Sequence, residues 1–453
     1  MTIPISDHHR LLDKRFRIMH HIHNQIVTFC IGQMNELQKN REYKELLKQN
    51  PTAVRNKRLK EIRQMYFLDE YKLQSRFKKM QKQYRDNIDS HAVQKECTRI
   101  YKGIEKCLFH NGKNLHRKRQ EQFVSIECKT NKAGIRYDPA SNTFMWCHQV
   151  FHLNQLNEYQ QELLLNPISY CGIKRKMFAD GWHYYLYVVV KEEAVRKTGI
   201  GNVGIDIGTS TIAVSAKDKC MLEVLGPEID KYNKEIEELQ QKIDRSVRAM
   251  NPERFNEDGT AKRIKGRYRY SKRCRILRHR LRTVYRKKSD YLKQSHEEMA
   301  NRILELGDTF YVERMQFDGL AKKAEFDEED PARKRKRFGR SLNNRAPSQL
   351  LSILQRKTGK VVEVNTQKYR ASQYNHITGE YEKTELNARM KQIGEHRVQR
   401  DLYSAYLLSH PLNTDKPDTE QCIQGFAEFI ENHDKCIEEI KRENKARRSS
   451  FGF

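Results

Sequence analysis

The chain has 453 residues, enough for two to four domains, and its 87 Lys and Arg against 59 Asp and Glu leave a formal charge of +28. That excess, with a sequence pI near 9.6, predicts a polyanionic partner and fits nucleic acid. A membrane role is excluded as far as spans go, because the longest apolar run, Tyr184 to Val190, falls far short of the ~20 residues needed.

The opening residues, Met1 to Arg10, hold no apolar signal core, so the chain is expected in the prokaryotic cytosol or nucleoid. Ten cysteines are scattered with no Cys-x-x-Cys pair, which predicts reduced thiols and neither a zinc ribbon nor a disulfide framework.

Residues 12–110 read as helical. Met19, Ile22, Ile26 and Phe29 follow one helix face, and Leu73, Phe77, Met80 and Tyr84 repeat the spacing. The intervening polar faces are rich in base, including Arg55, Arg58, Lys60, Arg63, Lys78, Lys79, Lys82 and Arg85. His20, His21 and His23 match no ligand spacing and are expected at the surface. From about 120 to 191 the pattern turns to short β-rich runs: Phe123 to Ile126, Ile135 to Tyr137, Phe144 to Cys147, Ser169 to Lys176 and Trp182 to Val190. These predict a small barrel or sheet. Lys191 to Gly201 is a polar connector and a domain boundary.

In Val203 to Lys217, Val203, Ile205 and Ile207 alternate with Gly204, Asp206 and Gly208, the period of a strand. Gly208 allows a turn, Thr211 to Ala216 returns, and Met221 to Leu225 is a third strand. An acid such as Asp206 inside a buried strand is costly unless it is paired or binds a cation. Ile229 to Ile243 is an amphipathic helix. Lys262 to Lys288 then contains no acid at all. There Arg275, Arg278, Arg282 and Arg286 share one helical face, backed by Leu277, Leu281 and Val284, which predicts a phosphate-contacting helix. Tyr268, Tyr270 and Tyr285 lie among these basic residues, placed either to stack on bases or to pack in the core.

Asp308 to Met315 returns to strand, with Phe310 and Val312 facing one way and Tyr311 and Glu313 the other. A charged loop with the run Arg333 to Arg337 follows. Pro347 opens a helix that Gly359 ends, Lys360 to Asn365 is a strand, and Arg397 to Leu408 begins a helix with Asp401 in its first turn. Beyond Pro411 the chain reads as a polar helical tail.

Three strands, a helical excursion, a strand, a helix, a strand and a last helix make the element order of an RNase H-like fold. That topology predicts that Asp206, Glu313 and Asp401 meet. Three clustered carboxylates suit two Mg²⁺ or Mn²⁺ ions and phosphodiester hydrolysis.

Gly204-Ile-Asp206-Ile-Gly208 resembles the first RuvC motif, Val312-Glu313-Arg-Met the second, and Arg400-Asp401-Leu-Tyr-Ser-Ala405 the third. With the helical and β regions ahead of them, nearly the whole chain resembles TnpB, the RNA-guided nucleases of insertion sequences, related to type V CRISPR effectors. The resemblance implies an α/β RNase H-like (RuvC) domain at 201–410, with inserted basic helices at 228–305. It also implies a helical recognition lobe at 40–115 within a small β-barrel wedge domain at 1–39 and 116–200, and a polar tail at 411–453. Its expected partners are a guide RNA and double-stranded target DNA carrying a short adjacent motif. Its expected metals are two Mg²⁺ or Mn²⁺ ions on Asp206, Glu313 and Asp401.

One departure stands out. The family's four-Cys zinc module falls between the second and third motifs, where this chain has Ala371 to Gly379, with Asn375 and Thr378 in place of cysteines. No structural zinc is expected, and packing and hydrogen bonds must hold the segment; a site through His376 and His396 is the one metal alternative. The wedge's opening strand is hard to discern before Leu11.

Asp206-x-Gly208-Thr-Ser also matches the first phosphate motif of actin-like ATPases, but these need a Gly-Gly adenosine loop and no Gly-Gly occurs here. A DDE-type transposase would use the same three acids without RNA. A guide-dependent repressor would have no use for all three.

Overall fold

The computed structural model describes residues 1–110, 112, 114–178, 180–191, 198–321, 338–382, 388–442 and 451–452. The chain is mixed α/β with several sheets and divides into two compact units, Met1–Ala194 and Val195–Phe453. Among the described residues no helix is long and apolar enough to cross a membrane.

The first unit runs β1 (Thr2–Pro4), α1 (His9–Lys39), α2 (Arg41–Lys48), α3 (Ala53–Met65), α4 (Glu70–Lys82), α5 (Ser90–Phe109), β2 (Ser125–Glu127), β3 (Arg136–Asp138), β4 (Thr143–Trp146), β5 (Gln149–His152), α6 (Glu158–Leu163), β6 (Ile168–Phe178) and β7 (Gly181–Val190). Five of the helices start on a capping side chain: Asn40, Thr52, Asp69, Asp89 and Asn157 each accept an otherwise orphaned backbone N–H. The 31-residue α1 buries Leu12, Phe16, Met19, Ile22 and Ile26 along one side.

His23 shares that side and corrects the surface assignment for one member of the histidine cluster, whereas His21 is exposed. It lies four residues after Met19, is 3% exposed, and its Nδ1 is 2.7 Å from Glu96 of α5.

The strands form two sheets, β1-β7-β6-β2 and β3-β4-β5, joined by a bridge between Ile5 and Leu153. Among the described residues they do not close into one barrel ladder. The opening strand, β1, is three residues long and ends at Pro4, which cannot donate to the ladder.

The second unit runs β8 (Asn202–Ile207), β9 (Thr211–Ser215), β10 (Cys220–Val224), α7 (Ile229–Met250), α8 (Lys272–Leu304), β11 (Thr309–Glu313), α9 (Phe317–Ala321), α10 (Gly339–Arg345), α11 (Pro347–Thr358), β12 (Val361–Val364), α12 (Thr366–Tyr369), β13 (Met390–Ile393), β14 (His396–Gln399), α13 (Arg400–Ser409) and α14 (Thr419–Arg442). Its central sheet has the order β10-β9-β8-β11-β12. β9 runs antiparallel to both β8 and β10, and β11 and β12 run parallel to β8.

Alternation sorts the sheet into two faces. Val203, Ile205, Ile207, Phe310 and Val312 pack with Met299, Ala300, Ile303 and Leu304 of α8 and with Leu350, Ile353 and Leu354 of α11. The opposite face is covered by α13. Behind α13 lies α14, whose Cys422, Phe429, Cys436, Ile437 and Ile440 are buried in the same cluster as Leu402, Tyr403 and Tyr406. The segment beyond 411 is thus part of this core and not a polar tail. The Arg333 to Arg337 run and residues 443–450 lie outside the described residues.

Candidate active site and basic surface

Strand register places two of the acids. Val312 pairs with Ile205 in the parallel β11–β8 ladder, so the next residues, Glu313 and Asp206, stand level on neighbouring strands and face the same side. That side belongs to α13.

Gly204 lets the helix come down onto the strand. A Cβ at position 204 would lie 1.8 Å from the Ala405 carbonyl oxygen and 2.5 Å from the Ser409 nitrogen, so no residue with a side chain fits there. The contact brings the first turn of α13, with Asp401, over the two strand acids.

The electrostatics register the meeting. The Asp206 carboxyl is pushed well above the usual carboxylate range, first by burial and then by the charges of Asp401 and Glu313. Arg400 and a hydrogen bond from Ser404 partly offset this. Part of the Asp206 surface remains open to solvent. Burial also raises Glu313, whose Oε1 accepts the Ala371 N–H at 3.0 Å.

Asp401 is held differently. Arg389 Nη1 donates to its Oδ2 at 3.1 Å, Arg400 Nη2 to its Oδ1 at 3.3 Å, and Gln399 Nε2 to its Oδ2 at 3.4 Å. As arranged here, no three carboxylate, imidazole or thiolate groups among the described residues close round one point. The donor set nonetheless fits a hard cation: three carboxylates meet in one poorly solvated place, where burial first and mutual repulsion second disfavour the charge on Asp206. Beside Glu313 opens a cavity of about 680 Å³, lined by Met315, Phe317, Leu351, Gln355 and Arg356 among others.

The basic helix pairs with α7. Leu277, Leu281 and Val284 pack on Tyr232, Ile236 and Leu239 in a small separate core, and Arg280 bridges to Glu235 at 2.9 Å. The opposite face carries the four predicted arginines unevenly. Arg275 and Arg282 are exposed, while Arg278 and Arg286 are half-buried. Arg278 lies over the Tyr270 ring at 4.3 Å, and Arg286 pairs with Asp290 at 3.0 Å. Tyr268 stacks with Arg254, and the Tyr285 hydroxyl accepts from Gln240.

In Ala371 to Gly379 the two residues standing at cysteine positions serve the turn itself. Asn375 Oδ1 accepts the Ile377 N–H at 3.0 Å, and Thr378 Oγ1 accepts the Glu380 N–H at 3.3 Å. His376 is 1% exposed and bonded through Nδ1 to the Tyr403 hydroxyl at 2.7 Å. His396 packs edge-on against Phe426, a ring that His376 also meets. Arg389, Gln399 and the Ala371 amide are site groups that sequence reasoning passed over.

No model of a known protein family matches the chain, and no curated protein matches it in sequence. Among solved structures it is similar to a chain in the cryo-EM structure of the Cas12f1–sgRNA–target DNA complex, at 12% identity and a TM-score of 0.48, over 87% of this chain and 82% of that one. It is also similar to a chain of the CRISPR-Cas12f ternary complex, at 12% identity and a TM-score of 0.31, over 88% and 81%.

Proposed function

We propose that the chain is an RNA-guided DNA endonuclease of the TnpB kind, cutting target DNA next to a short adjacent motif in the prokaryotic cytosol or nucleoid. The observation that carries the nuclease reading is the convergence of Asp206 and Glu313, level on parallel strands, with Asp401 brought over them at Gly204. A sheet in the order three-two-one-four-five, with acids on its first and fourth strands and on a late helix, is the layout of RNase H-like (RuvC) nucleases. On this reading residues 40–115 are the recognition lobe, 1–39 and 116–200 the wedge, and 228–305 the basic insertion in the nuclease domain.

Asp206, Glu313 and Asp401 would hold two Mg²⁺ or Mn²⁺ ions. Bound there, such ions lower the cost of deprotonating water and of charge building on the departing 3′ oxygen. The protein's own part is orientation. The Ala371 amide fixes one oxygen of Glu313 and leaves the other for a ligand. Arg389 and Arg400 hold Asp401 and temper the crowding of negative charge. Phosphates are met by the arginine face of α8, with Arg275 and Arg282 outermost.

Charge of this kind grips a backbone but reads no sequence, which supports delegating recognition to base pairing with a guide RNA. The test is a plasmid with a matched target and varied flanks, assayed for cleavage and occupancy in parallel. Protein stripped of RNA should cut no specific site, added RNA should restore cutting, and changing ~20 nucleotides of guide should move the cut. Asp206→Ala, Glu313→Ala and Asp401→Ala should each occupy the target without cutting it. Full cleavage by Glu313→Ala would remove the acid assignment. Site-specific cutting by RNA-free protein would instead favour a DDE-type transposase.

A further inference from the structure

One fully buried polar residue, His433, has no place in the chemistry described so far, and it stands behind another, Gln399. Gln399 is the N-cap of α13. Its Oε1 accepts the Leu402 N–H at 2.7 Å, and its Nε2 donates to Asp401 Oδ2 at 3.4 Å. Glutamine is long for a cap, so its position must be imposed from outside.

His433, on α14, imposes it. The Gln399 backbone N–H donates to His433 Nε2 at 2.9 Å. A backbone N–H can only donate, so Nε2 carries no proton; the ring's hydrogen is on Nδ1, which donates to Asp434 Oδ1 at 2.8 Å. Asp434 thus fixes the tautomer, His433 fixes the Gln399 backbone, and the Gln399 side chain reaches the carboxylate. The ring itself is packed against Phe429 at 5.8 Å between centroids and has little freedom to turn.

We propose that His433 is a positioning residue for Asp401, acting through Gln399, so that α14 tunes the metal affinity of a site to which it contributes no ligand. This rests on the reading of Asp206, Glu313 and Asp401 as metal ligands. Partners of this kind behind a ligand set its orientation, and losing one typically weakens metal binding about 10- to 100-fold.

The experiment measures Mn²⁺ binding to the full chain by the loss of the free-ion EPR signal, with melting curves recorded alongside. His433→Leu removes the acceptor, whereas in His433→Gln Oε1 reaches the place of Nε2. Gln399→Leu breaks the next link while leaving His433 intact. The Mn²⁺ dissociation constant should rise about tenfold in His433→Leu and in Gln399→Leu, and stay within about twofold in His433→Gln.

Wild-type affinity in a folded His433→Leu would overturn the proposal. So would His433→Gln binding as weakly as His433→Leu, since only packing would then matter. If His433→Leu does not melt cooperatively, Gln399→Leu decides alone, and wild-type affinity there is equally fatal. Asp401→Ala separates the two levels. Unchanged Mn²⁺ binding in Asp401→Ala removes the metal-site reading itself. Loss in Asp401→Ala beside an unchanged His433→Leu removes only the role of His433.

Discussion

Gly204→Ala is the smallest change that should break the site, and its effect follows from one contact. The new methyl would sit 1.8 Å from the Ala405 oxygen, whereas ordinary contact begins at 3.4 Å, so helix and strand must part by about 1.6 Å. Nothing at the contact can yield cheaply, because the atoms met are backbone. Overpacking of this type costs roughly 1–3 kcal/mol and here should reach the upper end, since most of α13 is buried. The functional loss should be larger than the loss of stability. Asp401 rides on the displaced helix, and a misplacement of about 1 Å in a reacting constellation costs roughly 100-fold in rate. Gly208→Ala is the control: its methyl would meet only Thr211, at 3.2 Å from Oγ1, and should cost less than about 1 kcal/mol. Urea unfolding and plasmid cleavage by the two RNA-loaded variants decide the matter. A Gly204→Ala protein with wild-type stability and wild-type cleavage would refute the close approach of α13 and with it the account of how Asp401 arrives.

Three further outcomes are expected. Replacing Arg275 and Arg282 by Ala should weaken binding to matched and mismatched DNA alike and lower the log–log salt slope by about one unit per lost phosphate contact; altered discrimination with an intact slope would show that the helix reads something else. Elemental analysis should find no stoichiometric zinc, because side chains of Asn375 and Thr378 already satisfy the turn. Stability should fall as the pH drops from 6.5, because burial lowers His296, His376, His410 and His433, with His376 brought to about 4. Above 6.5 these rings are neutral in both states and contribute nothing. Below it the unfolded chain takes up protons that the folded chain refuses, at about 1.4 kcal/mol per pH unit for His376 until about pH 4. Asp206 and Glu313 are raised and work in the opposite sense, so the share of His376 is the difference in slope between wild type and His376→Asn; equal slopes would contradict its buried, neutral state.

What could be read in advance was whatever repeats at short range. Alternation in Val203 to Ile207 and in Phe310 to Glu313 assigns each acid to a face, and element order brings the faces together. Gln399 and His433 escape such reading because their contact spans 34 positions with no motif at either end. The α14 stripe, Cys422, Phe429, Cys436, Ile437 and Ile440, keeps helical spacing but is diluted by Glu and Lys, and so passes for a solvated tail. The strand β5 was missed for a local reason. Its hairpin turn is Cys147-His148, both at positive φ, without the Gly or Asn that normally announces such a turn.

The long helix α8 has a consequence in phase. It runs 33 residues without Gly or Pro, holding the basic face at one end and, at Met299 to Leu304, the underside of the strands that carry the acids. Arg275 and Ala300 lie on one rod about 37 Å apart, with no joint between them. The azimuth of the arginines relative to the three acids is therefore counted out in residues. One residue inserted between Arg286 and Leu292 would swing the arginine face by about 100°, whereas seven would return it to within about 20° of its starting bearing, displaced outward by two turns. The spacing works as a ruler and a compass together, and on the proposed reading a duplex gripped at one end would meet the acids at an angle that arithmetic along the helix sets.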